Sequence, residues 1–123
     1  MSYHSKDHSF PHHRLDAYRI ALALAVATHT LAQALPRGNG SLKDQLKRSG
    51  QAPVLLIAEG ANRYSAAQKR QRFSEAQGEC GETAAAAETA AALGLVPPGD
   101  ALAVQELAAR VSAMLTGLIK RFR

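Results

Sequence analysis

QLKRSGQAPVLLIAEGANR, residues 45–63, is the stretch whose reading decides the fold. Leu42, Leu46, Ser49, Leu56 and Ile57 keep helical spacing through it, on both sides of Pro53. Proline removes one backbone hydrogen bond and crowds the carbonyl four residues earlier, here Ser49, so a kink is expected near Gly50 and Pro53. Beyond the proline, residues 54–58 are solidly apolar and run into a carboxylate, Glu59, and a glycine, Gly60. The stretch reads as one long helix ending near Asn62. A second stretch, RFSEAQGECGE at residues 72–82, belongs to the helix that follows.

Outward from this centre, three more helices come into view. Residues 15–35 form a first helix stopped by Pro36-Arg37-Gly38. Leu15, Tyr18, Leu22 and Ala25 make one apolar stripe, and Ile20, Leu24, Leu31 and Leu35 a second on another side. A helix apolar on more than one side must be covered on more than one side, which predicts a subunit interface. His29, set among alanines, reads as a core or interface histidine rather than a ligand. Asn39-Gly40-Ser41 is a turn with Ser41 as the expected cap of the second helix, and Asp44 favours its dipole.

Ser65-Ala66-Ala67-Gln68 is a capping box that opens a third helix, extending to Leu93 with Gly94 as its stop. Within it, Ala84, Ala87 and Ala91 invite close packing, while Glu82 and Glu88 keep one side wet. Val96-Pro97-Pro98-Gly99 is the last turn, with Asp100 the expected cap of the fourth helix. Val104, Leu107, Val111, Met114, Leu115, Leu118 and Phe122 form the strongest apolar stripe in the chain. Four helices and three short connections predict an all-α, antiparallel up-down four-helix bundle over residues 14–123, assembling as a homo-oligomer, preceded by a flexible arm, residues 1–13.

Composition agrees. The 123 residues suit one domain, 46% are hydrophobic, and only Tyr3, Tyr18, Tyr64, Phe10, Phe73 and Phe122 are aromatic. Cores of alanine and leucine bury little area per residue, so association would add stability. The single cysteine, Cys80, fits a reducing cytoplasm, and the N-terminus lacks the apolar centre of a secretory signal. The apolar run of residues 20–27 is too short to span a bilayer, so a soluble cytoplasmic protein without a membrane partner is expected.

Chemistry is harder to find. Glu59 follows an apolar run, but Arg63 lies four residues on in the favourable order, and Arg48 could approach from elsewhere in the bundle. Glu59, Arg63 and Arg48 are therefore read as a structural ion pair rather than a catalytic centre. No Glu-x-x-His pair for a di-iron site occurs, and zinc needs a tighter Cys/His set. His4, His8 and His12 recur every four residues, yet Ser9 and Pro11 oppose the helix that would align them. No catalytic residue, metal or cofactor is expected, and the chain reads as a non-enzyme.

The basic residues carry the functional expectation. Net charge is +5, from 15 Lys and Arg against 10 Asp and Glu. Arg63, Lys69, Arg70 and Arg72 bracket the start of the third helix, where cations oppose the dipole. Charge set against local preference hints at an outside anion. Arg37, Lys43 and Lys47 add to it on the preceding segment, and Lys120, Arg121 and Arg123 at the C-terminus. Sparse aromatics argue against base stacking, so backbone phosphate contacts are the expected mode.

The quoted motifs, Q-L-x-R, the proline, I-A-E-G-x-x-R and R-F-x-x-A-x-G, resemble the small four helix bundle protein family. It includes proteins encoded in intervening sequences of large-subunit (23S) ribosomal RNA genes and the accessory variability determinants of diversity-generating retroelements. Gln45, Arg48, Pro53, Ile57, Ala58, Glu59, Gly60 and Arg63 fall on its second-helix pattern, and Phe73, Ala76, Gly78, Glu82, Leu93 and Gly94 on its third. Glu79 and Leu56 depart from the serine and asparagine usual in the family. The resemblance implies a homopentamer, with nucleic acid and a nucleic-acid-processing protein as partners in the retroelement branch. Five copies would carry about +25, enough to hold phosphate backbones without reading bases. An adaptor for RNA or DNA is the first expectation, and a protein–protein interaction scaffold the alternative.

Overall fold

A computed structural model describes residues 9–123. After a single 3-10 turn, Pro11–Arg14, come four helices: α1 Asp16–Gln33, α2 Gly40–Ala61, α3 Ala66–Ala92 and α4 Pro98–Arg121. No strand occurs among the described residues. Each helix packs against its neighbours in sequence, α4 closes back on α1, and α1 barely meets α3 across the diagonal. This is the expected four-helix bundle. Its connections bring the starts of α1 and α3 to one end, together with the finishes of α2 and α4.

The helix ends show where local chemistry suffices. Ser65 caps α3, its Oγ accepting from the Gln68 amide at 3.0 Å. At the other end Gly94 takes φ +73°, the Leu95 amide donates to the Ala90 carbonyl, and the Gly94 amide donates to that of Ala91. That pairing needs the left-handed conformation glycine permits. Two expected caps move. α2 begins at Gly40 with Asn39 at the cap position, and the Asn39 side-chain amide turns back to the Pro36 carbonyl. α4 begins at Pro98, whose fixed φ suits a first helical position, so Asp100 lies within the first turn and not at the cap. α2 continues through Pro53, which is itself buried.

Phe73, Leu24, Leu46, Ile57, Leu115, Val104 and Val111 are the large fully buried side chains of the core. Thr28, Ser49 and Thr83 are buried beside them, and each hydroxyl donates to the carbonyl four residues earlier, satisfying itself within its own helix. The expected α4 stripe faces inward. α1 chooses differently: Ala17, Ala21, Leu24, Thr28, Leu31 and Ala32 turn to the core, while Leu22 and Val26 stay 42% and 68% exposed. His29 is exposed as well, so it is not a core histidine of the bundle. By length and composition α4 could cross a membrane, but its Ala101, Val104, Ala108, Val111 and Leu115 are buried against the other helices.

Two glycines let helices touch. A Cβ on Gly50 would lie 2.6 Å from Thr28 Cγ2 and 2.7 Å from Thr28 Cβ, so α2 crosses α1 at van der Waals contact there. A Cβ on Gly60 would lie 2.7 Å from Phe73 Cε1, so the glycine of the I-A-E-G motif is the seat of the largest core side chain.

Candidate nucleic-acid interface

Antiparallel packing sorts the basic residues by end. Arg63, Lys69, Arg70, Arg72, Lys120, Arg121 and Arg123 gather where α3 starts and where α2 and α4 finish. Arg37, Lys43 and Lys47 lie at the opposite end, with Arg48 directly after Lys47. There Asp44, Glu82, Glu88, Asp100 and Glu106 outnumber them. The fold also adds Arg14 and Arg19 to the first group, because α1 starts at the same end as α3. Among the described residues, only Asp16, Glu59 and Glu75 stand against that group. The net positive charge of the described residues therefore belongs to one end of the bundle. Arg14 and Arg19 are readable once the up-down order is drawn, since that order alone puts the first turn of helix 1 beside that of helix 3.

Four of the gathered cations are engaged inside the protein, Arg19 by its ion pair with Asp16. Lys69 Nζ donates to the carbonyls of Ala61 at 2.8 Å and Gly60 at 3.4 Å, closing the end of α2. Arg70 donates to the Phe122 carbonyl, closing the end of α4. Arg72 bridges Glu75 at 2.6 Å and Glu59 at 3.6 Å. Cations at the start of α3 oppose its own dipole, but they sit against the negative ends of two neighbouring helices, which reverses the local preference. The placement of Lys69, Arg70 and Arg72 thus has an internal cause and needs no outside anion. Arg14, Arg63, Lys120, Arg121 and Arg123 differ. They are exposed and form no side-chain hydrogen bond or ion pair among the described residues.

The expected ion pair is rearranged. α2 ends at Ala61, so Arg63 lies beyond the helix and the four-residue register that would bring it to Glu59 does not reach it. Glu59 pairs with Arg72 of α3 instead, with its side chain 50% exposed. Arg48 donates to Gln45 Oε1 at 2.6 Å, and Gln45 reaches Glu82 across the α2–α3 seam at 3.5 Å. On this seam burial, reinforced by the Glu82 carboxylate, pushes the Glu79 carboxyl above its ordinary value. Burial and the neighbouring Glu79 push the Cys80 thiol up to about 12, which leaves it without thiolate character.

The Pro11–Arg14 turn docks beside the basic end. Asn62 Nδ2 lies 2.9 Å from His12 Nδ1, and the His12 ring packs on Tyr18 with centroids 4.6 Å apart. Of the three spaced histidines, His4 and His8 lie outside the described residues. Among the described residues no three metal-ligating side chains come together. Two aromatics are exposed at this end, Tyr64 fully and Phe10 at 58%, while Phe73 is buried and Lys69 and Arg121 lie 5.4 and 5.6 Å from the Phe122 ring centroid.

The profile of a family described as 23S rRNA-intervening sequence protein matches residues 13–117. No curated protein matches the chain in sequence.

Proposed function

The chain belongs to the 23S rRNA-intervening sequence protein family, and from that premise we propose that it is a non-enzymatic, homo-oligomeric accessory protein that binds RNA or DNA through the basic end of its bundle. One observation carries the reading. Arg14, Arg63, Lys120, Arg121 and Arg123 have no counter-ion among the described residues, and they stand together at one end while the other end balances its charge. Unpaired cations on one surface hold a phosphate backbone by releasing its counterions, without base readout. Tyr64 and Phe10 are the exposed aromatics among the described residues, too few for the row of stacking rings that a single-strand binder uses.

Assembly as a pentamer belongs to the same proposal. Leu22 and Val26 leave an apolar strip uncovered on the outer face of α1, where a neighbouring subunit would cover it. Five basic ends on one assembly would multiply the phosphate contacts available to a single nucleic acid. The same strip, with Leu55 and Leu102 also exposed, favours the second reading, a protein–protein scaffold whose charge serves solubility. Light scattering with a structured RNA or a short duplex DNA, at low and moderate salt, separates them. A pentamer that gains mass from either nucleic acid and loses it with salt supports the adaptor. A pentamer that binds neither supports the scaffold, and a monomer contradicts the assembly.

A further inference from the structure

At the basic end two cavities open side by side, of about 380 and about 230 Å³. Arg14, Leu15 and Arg121 line both, so an arginine from the turn before α1 and one from the last turn of α4 border the same space. The remaining walls are mainly apolar, with Met114 and Leu118 in the larger cavity and Phe73 and Phe122 in the smaller. Lys69 also lines the smaller, its ammonium held by the Ala61 carbonyl. Asp16 lines the larger, but Arg19 holds its carboxylate. Neither Arg14 nor Arg121 has a carboxylate partner among the described residues. An anion bound in that space would supply the counter-charge that both arginines lack.

We propose that this paired cavity binds a terminal phosphate monoester, an inference that rests on reading the basic end as a nucleic-acid interface. Charge selects the monoester. At neutral pH it carries close to two negative charges against the single charge of an internal phosphodiester, matching two guanidiniums. Both cavities are open to solvent, so charge and not enclosure makes the selection, and a monoester exists only where a strand ends or in a mononucleotide. Neither cavity offers a free stacking face, because Phe73 is buried and Phe122 already carries cations beside its ring. The phosphate can come from a strand end or from a free mononucleotide.

The test uses the full chain and one short single-stranded RNA made with a 5′ phosphate, a 3′ phosphate or hydroxyl ends, with adenosine 5′-monophosphate titrated separately. Wild type is expected to bind one phosphorylated form about tenfold more tightly than the hydroxyl form, the size of one charge-assisted contact. Arg14→Gln with Arg121→Gln abolishes that preference, while Arg37→Gln at the far end keeps it. Binding of the mononucleotide alone, lost in the same double variant, supports the site and identifies the free ligand as its source. Absence of any Arg14- and Arg121-dependent effect of phosphate, on RNA or as mononucleotide, overturns the site. If RNA is then still bound in a salt-sensitive way, the basic-end interface stands without it. If the mononucleotide binds and no RNA does, the site stands and the interface falls. Both side chains are exposed, so the variants should fold, and circular dichroism verifies that they do.

Discussion

Gly50→Ala isolates what a single added methyl group does at the α1–α2 crossing. The new Cβ would stand 2.6 Å from Thr28 Cγ2, 2.7 Å from Thr28 Cβ and 3.1 Å from Thr28 Oγ1. Thr28 cannot simply swing away: it is fully buried, β-branched, and its hydroxyl is held by the Leu24 carbonyl at 2.7 Å. The helices must therefore separate. Overpacking of this kind costs about 1–3 kcal/mol, and the better helix propensity of alanine returns about 1 kcal/mol. A net loss of up to about 2 kcal/mol is expected, up to several degrees in Tm for a chain of this size. Gly81→Ala is the matched control, because nothing stands within 4 Å of its Cβ and only the propensity gain remains. The two substitutions should move stability in opposite directions in urea titrations at equal protein concentration. Adding Thr28→Ala to Gly50→Ala removes two of the three close atoms and should recover part of the loss, less than additively. If Gly50→Ala stabilises as much as Gly81→Ala, the close crossing is refuted.

Three further outcomes follow from the same geometry. Lys69→Met leaves the last carbonyls of α2 without their donor and should lower stability by about 1–2 kcal/mol in chemical denaturation, with no change in helix content before the transition. The Glu79 carboxyl is raised in the folded state above its ordinary value of 4.5, so the folded chain holds its proton longer and stability falls as pH rises through that interval. Glu79→Gln should therefore stabilise the protein at pH 7 and lose its advantage below about pH 4.5 in thermal melts across pH. Cys80, buried and with its thiol pushed up to about 12, should resist a thiol reagent at pH 8 in the native protein and react at once in denaturant.

Much of the fold is legible in the sequence because its signals are local. The Ser65 cap, the Gly94 stop and the α4 stripe need only their own neighbours in sequence, and the structure keeps each of them. The box itself is only half formed: Ser65 accepts from the Gln68 amide. The face of α1 is less legible, since alanine suits either a core or a surface. The bundle buries Ala17 and Ala21 and leaves Leu22 and Val26 outside, a choice tied to the close approach of Gly50 to Thr28. At the candidate interface the residue types are visible but their partners are not. Lys69 and Arg70 look misplaced on their own helix because the carbonyls that hold them belong to α2 and to the residue that ends α4. Arg63 looks paired only when the helix is continued past Ala61, where it stops.

The most direct test of the interface is the salt dependence of RNA binding, by fluorescence anisotropy, for two triple variants. Arg63, Lys120 and Arg123 to Ala removes free cations at the basic end, and Arg37, Lys43 and Lys47 to Ala removes the same charge from the other. The basic-end variant should weaken binding and lower the slope of log K against log salt by about 2 to 3, at roughly 0.7–0.9 for each phosphate no longer neutralised. The other variant should keep the wild-type slope. Equal weakening by both, or a greater weakening from the far end, would contradict the assignment of the interface to the end where α3 begins.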